Sequence, residues 1–254
     1  RRSSDLNIAF GAPYIQNFRV ANYGIENNNY TITQDTNGII IIGNSNGILQ
    51  YDGTDWEITR TRGLPKIAQN HDGDIMVAEY DNIGVLKYSD SGPRLVSMLD
   101  SLSTQSVYLG RINELICYNH TLYFTTNSHL YALDKEGLRG ISKTSGIHLF
   151  KDNNPYAFIP RKGLFLIEKD TLKKISDNPA VSNINNLQKW KNKLLFSTTK
   201  NRLWIETNDS YDSFSTEAES YLSEHGISDL LVINPNTLAI GTYSGGIVFI
   251  DDNG

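Results

Sequence analysis

One unit recurs along this chain: a short apolar strand, a polar turn, a second apolar strand, a tight turn and a third strand, often with a fourth behind it. Repetition constrains architecture more than any single motif. Each copy is one supersecondary unit that buries its faces only against its neighbours. The clearest copy runs Tyr30-Thr31-Ile32-Thr33-Gln34-Asp35, then Thr36-Asn37-Gly38, then Ile39 to Gly43. A turn at Asn44 to Asn46 leads to Gly47-Ile48-Leu49-Gln50-Tyr51-Asp52, and a fourth strand covers Trp56 to Arg60. Asn, Asp and Gly supply the turns because they tolerate the backbone angles a hairpin requires.

Six copies can be traced, over residues 29–60, 65–99, 111–143, 156–176, 184–217 and 227–251. In the fourth, Tyr156 to Pro160 reads as the first strand and the outer strand is poorly defined. The sixth lacks a fourth strand. The copies are spaced by roughly 30 to 47 residues, the period of propeller blades. A β-helix needs a shorter period, and a sandwich would not repeat one unit six times. The predicted fold is therefore all-β: a single domain over 1–254, a β-propeller of about six four-stranded blades. Radial packing lets each small sheet bury both faces. Segment Ser215 to His225 is the best helical candidate, with Ala218 and Leu222 four apart, and is read as a short turn between blades.

Two arrangements of the ends follow. Either Ile15 to Val20 is a strand that closes a six-bladed ring, or this is an incomplete piece of a larger propeller. An incomplete ring would expose an unpaired blade face and tend to associate. The chain opens on Arg1 rather than Met, which reads as a processed or excised piece.

Composition excludes some classes. A net charge of −5 argues against an electrostatic nucleic-acid binder. The longest aliphatic run, Ile39 to Ile42, is far too short to span a bilayer, and no signal peptide is visible. A single cysteine, Cys117, cannot form an internal disulfide, and its neighbours Leu115, Ile116 and Tyr118 suggest a buried structural thiol.

Particular residues resemble a known family. The unit Asp35-Thr36-Asn37-Gly38, Ile42-Gly43-Asn44-Ser45-Asn46-Gly47-Ile48 and Tyr51-Asp52-Gly53 resembles the two-component-regulator propeller repeat. The last copy, Ile240-Gly241-Thr242-Tyr243-Ser244-Gly245-Gly246-Ile247 with Ile250-Asp251, is similar to it. The leader Gly11-Ala12-Pro13-Tyr14-Ile15-Gln16-Asn17-Phe18 with Tyr23-Gly24 looks like the start of such propellers in bacterial membrane sensors. Copies three to five match mainly in strand pattern. The resemblance implies a ligand-sensing module, periplasmic or otherwise extracytoplasmic, of an inner-membrane signalling protein: a hybrid histidine kinase or a membrane-bound transcriptional regulator. It implies a small-molecule or glycan ligand, neighbouring domains of the same parent protein as partners, and homodimerisation as a further option. It also implies rings with more blades than six. No transmitter His, phosphoacceptor Asp or ATP-binding motif is present to assign.

Other motifs have plainer readings. Gly43-Asn44-Ser45-Asn46-Gly47 fits the nucleophile-elbow pattern, but that chemistry needs a helix after the turn and a strand follows here. Acidic turns such as Asp72-Gly73-Asp74 are too short for a calcium loop. His71, His120, His129, His148 and His225 show no zinc-protease spacing, and His71 and His120 occupy equivalent, solvent-facing turns. Trp56, Trp190 and Trp204 read as inter-blade packing before sugar stacking. No catalytic or metal constellation stands out, so the expectation is a binding module without enzyme activity and without a cofactor. The alternatives are a scaffold propeller that only dimerises or packs on a neighbour, and a glycan-active propeller enzyme. Ligand should meet the axial mouth, where innermost strands begin. The candidate rim residues are Tyr30, Lys66, Arg111, Tyr156, Asn185 and Asp229.

Overall fold

Each repeat folds as a small antiparallel meander. The computed structural model describes residues 17–90, 92–99, 108–208 and 210–251. Blade one holds β1 (Asn29–Gln34), β2 (Ile40–Asn44), β3 (Gly47–Tyr51) and β4 (Trp56–Thr59). Blade two holds β5 (Lys66–Gln69), β6 (Ile75–Glu79), β7 (Asn82–Ser89) and β8 (Gly92–Ser97). Blade three holds β9 (Ile112–Tyr118), β10 (Thr121–Thr126), β11 (Leu130–Asp134) and β12 (Gly137–Ser142). Blade four holds β13 (His148–Lys151), β14 (Pro155–Ile159), β15 (Gly163–Glu168) and β16 (Thr171–Ser176). Blade five holds β17 (Ile184–Trp190), β18 (Lys193–Thr198), β19 (Leu203–Glu206) and β20 (Tyr211–Ser213). Blade six has three strands, β21 (Ile227–Asn234), β22 (Thr237–Thr242) and β23 (Ile247–Ile250). The fold is a six-bladed β-propeller, with the first strand of each blade innermost: β1 packs on β5, β5 on β9, β9 on β13, β13 on β17 and β17 on β21.

Three expectations need correction. Blade four begins at His148, so Tyr156 lies in its second strand; the innermost strand is only four residues long and ends in the polar turn Asp152-Asn153-Asn154, which disguised it as loop. Segment 215–225 contains a true helix, α2 (Glu219–His225), following α1 (Val20–Tyr23). Its buried Leu222 packs into the core between blades five and six, and that tertiary contact sustains a helix too short to stand alone. The described part of segment 15–20, residues 17–20, forms no strand. Residues 15 and 16 lie outside the described residues, Val20 opens α1, and the Phe18 ring packs edge-on against Tyr51 and Trp56 of blade one.

Strand periodicity decides what each blade buries. Residues facing each other in neighbouring strands share a face, and successive residues alternate. In blade five, Leu187, Leu194 and Phe196 pack back onto Tyr156, Phe158 and Leu164 of blade four. Its opposite face sends Trp190, Leu195 and Leu203 onto Leu230, Leu238 and Ile240 of blade six. Trp190 is buried and its indole N–H donates to Pro235 O at 2.9 Å, so the ring hides its apolar body without orphaning its donor. Trp204 packs against the core between blades four and five, as expected for an inter-blade residue, whereas Trp56 packs against Tyr23, Ile25 and Leu49 on the flank away from blade two and is not an inter-blade residue. Cys117 is buried, and burial pushes its thiol up.

The turns behave as their residues demand. The Gly43–Gly47 pattern is the β2–β3 hairpin, and Asn44 ties it to the segment entering β1 by donating to Glu26 O (2.6 Å) and Asn29 Oδ1 (2.9 Å). Gly163 sits at φ 108°, and a Cβ there would lie 2.1 Å from Ser176 O. Only glycine fits that close approach of β15 to β16.

The alternation also exposes the two ends of the ring. On blade six, Leu231, Ala239 and Phe249 are aligned across the sheet on the face away from blade five. Leu231 is 57% exposed and Phe249 66%, with Ile233 and Ile247 open beside them. On blade one, Ile32 faces away from blade two and is 70% exposed. Tyr23 and Ile25 cover only the outer part of that face, over Leu49 and Trp56. Among the described residues, no packing comparable to the five inter-blade contacts joins β21 to β1.

Candidate functional site

The starts of the innermost strands and the inter-blade loops share one end of the ring. There the second blade sends Lys66 from the first residue of β5, and the third sends Arg111, just before β9. The two cations lie close enough to interact. Burial is the main cause that pulls the Lys66 ammonium below its ordinary value; Glu114 opposes the fall and Arg111 deepens it. Glu114, in β9, reaches to the next blade. One carboxylate oxygen pairs with His148 Nδ1 at 3.0 Å and the other accepts from the Leu149 backbone N–H. That hydrogen bond is the leading cause that raises the His148 imidazole above its usual value, against the opposing effect of burial. Blades two, three and four thus contribute Lys66, Arg111, Glu114 and His148 to one charged arc around the axis.

A cavity of about 300 Å³ opens beside this arc, between blades two and three, with Arg62, Leu64, Glu79, Tyr80, Arg111 and Ile112 around it. Its walls are braced. Glu79 is buried; its Oε2 accepts from the Arg62 backbone N–H (2.6 Å) and its Oε1 from Arg62 Nε (3.3 Å) and Asn82 Nδ2 (3.1 Å). Asp81 Oδ1 accepts from the backbone N–H groups of Leu109 (2.6 Å) and Gly110 (3.2 Å), which ties the start of blade three to the β6–β7 turn. The Tyr80 and Tyr108 hydroxyls are hydrogen-bonded to each other, and this bond is the first cause raising Tyr108. Arg111 has no hydrogen bond or ion pair among the described residues. Such a site offers hydrogen bonds, a free guanidinium and the Tyr80 ring to a small polar ligand.

The six rim candidates divide. Lys66 and Arg111 come together as described. Asn185 is committed to structure, donating from Nδ2 to Ile227 O at 3.2 Å and locking blade five to blade six. Asp229 stands on the open flank of blade six, where loss of hydration raises its carboxyl and the Leu230 N–H, at 2.8 Å, opposes that rise. Tyr30 is exposed on the other open flank. Tyr156 is 6% exposed and belongs to the core between blades four and five, so it is not on the rim. Glu114, His148, Arg62 and Tyr80 escaped sequence reasoning. The one signal for Glu114 was a lone acid in the strand Ile112–Tyr118; His148 was hidden with its strand.

His71 and His120 are exposed in equivalent turns on the opposite end, their rings 5.9 Å apart. Among the described residues, no group of three or more His, Cys, Asp or Glu is placed to hold a metal, and no helix is long and apolar enough to cross a membrane.

The fold and this braced mouth define a propeller with a polar axial site. No family model matches the sequence, and no curated protein matches it. Solved structures do. The extracellular domain of a hybrid two-component system from B. thetaiotaomicron superposes with a TM-score of 0.68 at 15% identity, covering 95% of this chain and 36% of its own. That of a second such system from the same organism gives 0.56 at 17% identity, covering 87% and 38%. Virginiamycin B lyase from Staphylococcus aureus gives 0.60 at 15% identity, covering 86% and 78%. The chain spans little more than a third of the two-component ectodomains it resembles. At these identities the likeness establishes the fold, which sensor domains and a lyase share.

Proposed function

We propose that this chain is the ligand-sensing propeller of the extracytoplasmic, periplasmic part of a bacterial membrane signalling protein, a two-component sensor or a membrane-bound transcriptional regulator. It binds a small molecule or glycan at the axial mouth, or relays a signal through a neighbouring domain. The observation that carries this reading is the convergence of Lys66, Arg111, Glu114 and His148 from three successive blades beside the cavity bounded by Arg62 and Tyr80. A ligand there would touch several blades at once, and its differential contacts would bias how they pack. The likeness to two-component ectodomains supports the setting. The test is a reporter assay in the parent signalling protein: replacing Lys66 and Arg111 with alanine should weaken the ligand response while the propeller stays folded. An unchanged response would overturn the mouth as the site.

A second element of the reading concerns the open flanks. A further four-stranded blade of the parent polypeptide would cover Leu231 and Phe249 with one face and Ile32 with the other. Only a sheet apolar on both faces satisfies both ends, as the five internal blade contacts do. A scaffold role, with the flanks used for self-association, is the competing outcome. Protection of both flanks from labelling in the parent protein, at any dilution, would favour the added blade.

A further inference from the structure

The axial mouth holds two cations that the fold does not use. Lys66 opens β5, and Arg111 stands just before β9, the strand packed beside it. Neither makes a hydrogen bond or ion pair among the described residues. In a chain with a net charge of −5, acids that could answer them are plentiful.

The acids nearest the mouth are engaged elsewhere. Glu79 accepts through both carboxylate oxygens, from the Arg62 backbone N–H, the Arg62 side chain and Asn82. Glu114 pairs with His148 through one oxygen and accepts from the Leu149 backbone N–H through the other. Its charge reaches Lys66 through space, without an ion pair. Asp81 Oδ1 accepts from the backbone N–H groups of Leu109 and Gly110. These bonds brace the cavity of about 300 Å³ that Arg111 lines, and Lys66 follows two residues after Leu64, another of its walls. They leave the two cations as the open recognition groups of the mouth.

Partial burial makes that opening selective. The Lys66 side chain is partly withdrawn from water, and burial pulls its ammonium down. Coulomb attraction is stronger where water is scarce. An anion between the two blades would replace the hydration that each cation loses. A neutral ligand would strip more water from both and return no charge. The planar Arg111 guanidinium presents parallel N–H donors that match two oxygens of one acidic group, and Lys66 adds a point charge beside it. A cavity of about 300 Å³ lies at the small end for ligand sites, so the partner is a compact molecule.

We propose that the mouth recognises its ligand by an oxyanion, the carboxylate or phosphate of a small metabolite, bound between Arg111 and Lys66. The inference rests on the sensing reading and names the ligand class of that same site. Isothermal titration of the 254-residue protein at constant ionic strength tests it, with succinate, inorganic phosphate and uncharged succinamide as probes. At least one of the two anions should bind, and succinamide should not. The tighter anion tells carboxylate from phosphate recognition. Arg111→Gln and Lys66→Gln should each weaken that binding roughly tenfold or more, the weight of a hydrogen bond to a charged group. Thermal unfolding should not change, because neither side chain bonds to the fold. No binding of either anion, equal binding of succinamide, or anion binding untouched by both variants overturns the proposal. If neither anion binds while the same variants still blunt the reporter response of the parent protein, only the oxyanion assignment falls and the sensing mouth stands. Anion binding with an unchanged reporter response keeps the oxyanion site and removes its sensing role.

Discussion

Arg139 and Asp170 join blade three to blade four through one short contact, Nε to Oδ2 at 2.5 Å, while the same guanidinium holds Asp134 at 2.7 and 2.8 Å. The arginine is the first cause that holds the Asp134 carboxyl well below the usual carboxylate range. A carboxyl lowered in the folded state contributes stability above its unfolded value, near 3.8, and that contribution is lost as pH falls through the folded value. Arg139→Met should therefore cost about 1–3 kcal/mol at pH 7, and much of that difference should disappear in strong acid. Denaturant titrations of both proteins at pH 7 and at pH 2 measure it; an equal cost at both would refute the ion pair as its origin.

His148 runs the other way. Its imidazole is raised by Glu114, so the pair stabilises the fold fully below the unfolded value near 6.5 and loses that as pH rises through the folded value. The side chain is half-exposed, so the effect is below about 1 kcal/mol. His148→Gln should lower the melting temperature more at pH 5.5 than at pH 8.5. A larger loss at the alkaline end would contradict the assignment.

Trp190 is the largest fully buried side chain. Trp190→Ala should cost about 3–5 kcal/mol, measured by chemical unfolding. It leaves a cavity between blades five and six and strips Pro235 O of its donor. A cost under about 1 kcal/mol would mean that this interface repacks freely.

The open flanks predict association. The isolated 254-residue protein should self-associate as its concentration rises, since Leu231, Ile247, Phe249 and Ile32 form uncovered apolar faces. The double variant Leu231→Asp, Phe249→Asp should shift it toward monomer in sedimentation velocity. A wild-type chain that stays monomeric at high concentration would refute the prediction.

The blade rhythm was readable because hairpin chemistry is local. Asn-Gly and Asp-Gly turns between alternating strands leave few other structures for segments such as Thr31 to Arg60. Blade four was misread for the same local reason: His148–Lys151 is short, and Pro155 opens β14, where sequence patterns expect a boundary. The mouth was half legible. Strand starts named Lys66 and Arg111, but contacts between blades are non-local. No spacing rule linked Glu114 to His148, 34 residues away, or Arg62 to Glu79. Tyr156 was misplaced because its strand had been given the wrong position in its blade.

The most direct test of the account is ligand response at the axial mouth. If the chain senses a ligand at this mouth as proposed, ligand-dependent output of the parent protein should fall at least roughly tenfold, about 1.4 kcal/mol of binding, when Arg111 is replaced by alanine, with thermal unfolding of the propeller unchanged. An Arg111→Ala, Lys66→Ala double variant that keeps the full ligand response would contradict it.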